Sequence, residues 1–166
     1  MDKNLPKKIV DRVAQALSQF KFNERRDAVT SDIVAVVKKP SNLLRILFRG
    51  LGICAVVVVP ESVTDRMGLK AFIDDVRRDI SSRFVRIAAY RNTYLFIVLV
   101  CRHDLFAACP GVAAALIDKT GLHTTLIQGV ILVDSATREV TGDYTWIPQH
   151  KREFEALLSA TSRAVK

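Results

Sequence analysis

Cys101-Arg102-His103-Asp104 closes the apolar run that begins at Leu95. It sets a thiol, a guanidinium, an imidazole and a carboxylate side by side. A cysteine beside a histidine is the composition of an activated nucleophile, because the thiolate is the reactive form and a neighbouring base generates it. Strand ends are also where active-site groups collect in open α/β sheets. The spacing weakens this reading. Neighbouring side chains on an extended chain point to opposite faces. Cys101 continues the apolar run, and Asp104 stands where the N-cap of a following helix belongs. The corner is therefore expected to be a strand exit and a helix cap. No catalytic residue is assigned, and an enzyme using the Cys101–Asp104 corner is kept as an alternative.

Metal and phosphate chemistry have less support. The histidines are His103, His123 and His150 and the cysteines Cys54, Cys101 and Cys109, with no Cys-x-x-Cys or His-x-x-x-His spacing. Gly50-Leu51-Gly52 precedes an apolar run, whereas a dinucleotide loop follows a strand and opens a helix. Pro60-Glu61-Ser62 places a carboxylate where a phosphate would sit. Asp74, Asp75 and Asp79 alternate with Arg77, Arg78 and Arg83, the pattern of an ion-paired helix face. Arg138-Glu139-Val140-Thr141 has a glutamate without the lysine that a Glu-x-Lys nuclease triplet requires. No cofactor and no metal are expected.

The remaining signal is charge. The net charge is +8; residues 1–91 hold 18 Lys+Arg against 10 Asp+Glu, while residues 92–166 hold 7 of each. The excess thus falls entirely in the first half, which suggests a positive surface for an anionic partner. The candidate binding residues are Lys7, Lys8, Arg12, Arg25, Arg26, Lys38, Lys39, Arg45 and Arg49, with Arg77, Arg78, Arg83, Arg86 and Arg91 further on. Tyr90 and Tyr94 are the best placed aromatics for stacking on bases. The expected function is a non-enzymatic accessory protein that binds a macromolecular partner through its basic N-terminal half, with DNA or RNA the simplest polyanion. The alternative partner is a protein, with the chain acting as an adaptor or oligomer subunit that docks through the first helix or an exposed sheet edge.

The elements that must position these residues follow from periodicity. Residues 4–20 place Ile9, Val13, Leu17 and Phe20 on one helix face, with Asn4 as N-cap and Pro6 in the first turn. Residues 21–31 read as a loop or short helical turn. Residues 32–39 are ambiguous between strand and helix, with β-branched content favouring strand, and 41–50 read as a short helix. The β-branched run GICAVVVVP is expected to be a strand buried on both faces. A helix follows over residues 61–84, its stripe formed by Val63, Met67, Phe72 or Ile73, Val76 and Ile80. FVRIAAY and TYLFIVLVC are expected to pair as an antiparallel hairpin about Arg91-Asn92. Residues 103–121 read as a helix broken near Cys109-Pro110. A second hairpin turns at Ser135-Ala136-Thr137, and an amphipathic helix closes the chain.

Composition bounds the answer. Hydrophobic residues make up 49% and charged residues 25% of 166 positions, enough for one domain with a core. Three cysteines do not make a disulfide framework, and no signal-peptide pattern is present, so a reducing, cytoplasmic setting is expected. The longest apolar runs are about nine residues, short of the roughly 17–25 that a membrane span needs.

The fold expected is a single α+β domain over residues 1–166 with a mixed or antiparallel sheet of βαββαββ order. Extra helices stand at both ends. A ferredoxin-like split βαβ is one arrangement of that order, and a mixed α/β sandwich is the other. Within the domain, a basic helical extension over 1–50 would pack on a 51–147 sheet core, with a terminal helix over 148–166.

Overall fold

The computed structural model describes residues 4–39, 51–84, 93–118, 125–145 and 148–166. Helix α1 (Leu5–Ser18) leads into strands β1 (Glu24–Asp27), β2 (Ile33–Lys38) and β3 (Leu51–Val58). Helix α2 (Arg66–Phe84), strand β4 (Thr93–Cys101) and two short helices, α3 (His103–Ala108) and α4 (Val112–Leu116), come next. Strands β5 (Thr125–Asp134) and β6 (Val140–Tyr144), a single 3-10 turn (Pro148–His150) and helix α5 (Lys151–Val165) complete the chain.

The six strands among the described residues lie in one sheet in chain order. β3, β4 and β5 run parallel in the centre, while β1, β2 and β6 join by antiparallel pairing. The mixed sheet and the terminal helices agree with the α+β class read from the sequence. Of the two arrangements open to that element order, the sheet takes the sandwich. A sheet in chain order with parallel central strands is not a split βαβ.

Side-chain alternation along the strands feeds two cores. Ile53, Ala55, Val57, Leu95, Ile97 and Leu99 pack with α2, α3 and α4 on one face. Cys54, Val56, Phe96, Val98 and Val100 pack with α1 and α5 on the other. β4 lies between both layers, and all nine of its residues are buried. That burial accounts for its unbroken apolar sequence: it is a central strand with no solvent face.

Several expectations need correction. β4 pairs along its length with β3 on one side and β5 on the other. Both of its edges are taken, so it is not one arm of the antiparallel hairpin about Arg91-Asn92. The other arm of that hairpin, 85–91, lies outside the described residues, as does the helix expected over 41–50. Residues 24–27 form a strand rather than a loop or helical turn. β1 is largely exposed and so carries no apolar alternation; its backbone pairing to β2 makes it a strand. Because β1 and β2 belong to the sheet, residues 1–50 are not a helical extension outside a 51–147 core.

Helix α2 begins at Arg66, later than its apolar pattern suggested. Its buried face is Leu69, Ile73, Val76, Ile80 and Phe84, and Met67 is 83% exposed. Asn4 precedes α1 without a side-chain capping bond. The β5–β6 hairpin about residues 135–137, the break near Cys109-Pro110 and the closing amphipathic helix stand as expected.

Candidate functional site

The nine basic candidates divide sharply. Lys7, Lys8 and Arg12 lie on the exposed side of α1, opposite the buried Ile9, Val13 and Leu17. They make no ion pair among the described residues. Arg25 bonds Asp27 at 2.6 Å and Asp11 at 2.9 Å. The Asp27 hydrogen bond raises its guanidinium pKa further, against partial burial. Arg26 bonds Glu24 at 3.1 Å and lies over the Phe84 ring. Lys38 stands 3.6 Å from Glu24. Arg45 and Arg49 lie outside the described residues, as do Arg86, Tyr90 and Arg91.

Lys39 serves the fold rather than the surface. Its ammonium bonds Glu153 Oε1 and, at 2.9 Å, the Tyr94 hydroxyl, which in turn donates to Glu153 Oε2 at 2.7 Å. His150 stacks on Tyr94 with ring centroids 3.6 Å apart. Burial opposes the charge on Glu153, yet the nearby His150, 3.4 Å away, and the hydrogen bonds from Lys39 and Tyr94 outweigh it and hold the carboxyl below its usual range. Burial pushes the Tyr94 phenol well above its ordinary value. Tyr94 is 2% exposed and cannot stack on a base.

The later basic candidates are also committed. Arg77 bonds Asp74 at 2.6 Å and Asp118 at 3.1 Å, Arg78 bonds Asp75, and Arg83 bonds Asp79 at 2.7 Å. α2 is thus the ion-paired face that its alternating charges suggested.

Two cations outside the candidate set join those on α1. Arg152 and Arg163 are exposed on α5, and neither makes an ion pair among the described residues. α5 covers the same sheet face as α1 and packs against it. The neutral count of residues 92–166 hid them. Three acids of that half are drawn inward: Asp118 to Arg77, Asp134 to His103 and Glu153 to Lys39. The signal was present in the amphipathic pattern of the last helix, which sets Arg152 and Arg163 away from Phe154 and Leu157.

The Cys101–Asp104 corner is rearranged relative to its sequence order. Cys101 is 1% exposed and its thiol contacts the Val133 carbonyl at 3.5 Å. Burial, with the nearby Asp134 carboxylate, pushes that thiol up to about 12, so it is not an activated nucleophile. His103 instead faces Asp134 at the end of β5, Nδ1 to Oδ2 at 2.5 Å. Asp104 pairs with Arg102 at 2.9 Å. Among the described residues no group of three or more His, Cys, Asp or Glu side chains is placed to hold a metal ion. No helix among them is long and apolar enough to cross a membrane. Comparisons with protein-family models, with curated proteins and with solved structures found no match.

Proposed function

We propose that the chain is an accessory protein that binds nucleic acid through the exposed face of the α1–α5 layer. The observation that carries this reading is the contrast in charge pairing. Lys7, Lys8, Arg12, Arg152 and Arg163 project from one helical layer without ion pairs among the described residues, whereas Arg25, Arg26, Lys38, Arg77, Arg78 and Arg83 are held by neighbouring carboxylates. Arg66 and Lys70, at the start of α2, also make no ion pair among the described residues, but α2 covers the opposite face of the sheet. Unpaired cations are free to displace counterions from phosphates; paired ones must first give up their carboxylates. The contact is to the backbone and is indifferent to base sequence, because α1 and α5 carry no exposed aromatic side chain among the described residues.

Docking of a partner protein on the sheet edge is the competing reading. The β1 edge works against it. Glu24, Arg25, Arg26 and Asp27 line that strand, and charged side chains of this kind blunt edge pairing. Titration of a fluorescent oligonucleotide at increasing salt tests the proposal. Five engaged cations predict a log–log slope of about −4 to −5 on duplex DNA. No binding at low salt overturns it.

A further inference from the structure

The geometry points to a second, separate activity: general-base hydrolysis of a neutral, apolar ester at His103, oriented by Asp134. It does not use the helical face invoked above. His103 opens α3 just past the end of β4, and Asp134 ends β5, the parallel neighbour of β4. The two are thus adjacent at the C-terminal edge of the parallel strands, where open α/β sheets place their ligands.

The environment of Asp134 is that of an orienting carboxylate. Its side chain is fully buried. One oxygen accepts from the Ala136 and Thr137 backbone N–H groups, at 2.8 and 3.3 Å. The other meets the Thr137 hydroxyl at 2.7 Å and His103 Nδ1 at 2.5 Å. These bonds fix the carboxylate, which fixes the imidazole ring and keeps the proton on Nδ1. Nε2 then carries the lone pair. The His103 side chain is 60% exposed, and Nε2 makes no hydrogen bond among the described residues.

His103 also borders a cavity of about 350 Å³. Phe106, Val112, Ala113 and Leu132 supply an apolar wall, and Glu139 and Thr141 supply polar atoms. No lysine or arginine lines it. Besides Asp134, the charged groups about His103 are Asp104, itself paired with Arg102, and Glu139. Such a cleft accepts a neutral, apolar-bodied molecule and repels an anion.

Water is the nucleophile, because the Cys101 thiol is buried and turned to a backbone carbonyl. His103 Nε2 takes a proton from water as its oxygen bonds to the acyl carbon. The tetrahedral adduct then expels the alcohol: the carbon–oxygen bond breaks, and the leaving oxygen takes the proton back from Nε2. One ester and one water become one carboxylic acid and one alcohol. His103 is the catalytic residue and Asp134 a positioning residue.

The probe is p-nitrophenyl butyrate, with the full-length protein and its variants compared against free imidazole at equal concentration. We expect hydrolysis above the imidazole control, lowered on the order of 100-fold in His103→Gln. The activity should rise with pH through the histidine range. In Asp134→Asn that limb should move to lower pH, since the carboxylate bond that raises the His103 pKa is gone. His103→Gln changes an exposed side chain, so its circular dichroism spectrum should match the parent. A rate no greater than imidazole, or one unchanged in a folded His103→Gln protein, overturns the proposal. A pH limb that stays put in folded Asp134→Asn removes Asp134 from its positioning role.

Discussion

Arg25 Nη1 lies 2.9 Å from Asp11 Oδ1, so the edge strand β1 is joined to helix α1 by a charge pair. Asp11 is the single acid of α1 and sits among Lys7, Lys8 and Arg12. The contact therefore both steadies β1 and cancels a negative charge within the proposed binding face.

Replacing Asp11 by Asn separates those two effects. Affinity for an oligonucleotide should rise a few-fold, because a carboxylate is removed from among Lys7, Lys8 and Arg12 while Arg25 stays held by Asp27. Stability should change by less than about 1 kcal/mol, as for other exposed pairs. Titration and urea denaturation measure the two. An unchanged affinity would place Asp11 and its neighbours outside the interface.

Gly52 is required by packing. A Cβ at this position would lie 2.6 Å from the Tyr94 hydroxyl and 2.8 Å from Phe22 Cζ. Both neighbours are large, fully buried side chains. Gly52→Ala should therefore destabilise the fold by about 1–3 kcal/mol through overpacking and displacement of Tyr94 from Glu153. Chemical denaturation gives the value directly, and a neutral result would mean that the Tyr94 cluster is not rigid.

The Lys39–Glu153 pair joins the end of β2 to α5 across the sheet. Glu153→Gln should cost about 2–3 kcal/mol. That is below the loss for a fully buried pair, because the Lys39 side chain keeps 24% exposure. A double-mutant cycle with Lys39→Met should show the two losses to be strongly non-additive. Simple additivity would contradict the coupling.

Acid titration should report Asp134. Burial disfavours its charge, but the bonds from His103, Thr137 and the backbone of residues 136–137 prevail and hold it at about 2, against an ordinary 3.8. A depressed folded value means stability that is present above 3.8 and lost as pH falls toward 2. His103 has the opposite sign: its raised value contributes below 6.5 and fades as pH rises through the folded value. Asp134→Asn should flatten the acid limb of the denaturation profile. An unaltered limb would assign it to other carboxylates.

Some of this was legible in the residues and some was not. The buried strands β3 and β4 and the hairpin at 135–137 show as unbroken apolar runs and turn residues. The strand β1 does not, because an exposed edge needs no apolar periodicity and is defined by its neighbour. The hairpin expected for β4 failed for a related reason: an apolar run tells that a strand is central without naming its partners. The Cys-Arg-His-Asp corner drew attention to the right place and the wrong group. Cys101 faces the core, and the partner of His103 is 31 residues away, at the end of β5. Charge counting by halves likewise missed Arg152 and Arg163, since burial of nearby acids decides which cations remain unpaired.

The central claim is that unpaired cations on the α1–α5 layer hold a nucleic-acid backbone. It is tested most directly by comparing the salt slope of oligonucleotide binding for Lys7→Ala/Lys8→Ala/Arg12→Ala with that for Arg78→Ala/Arg83→Ala. The first set should lose about 2.7 from the slope on duplex DNA, about 0.9 per phosphate contact, while the second should change it little. Equal slopes for the two variants and the parent would contradict it.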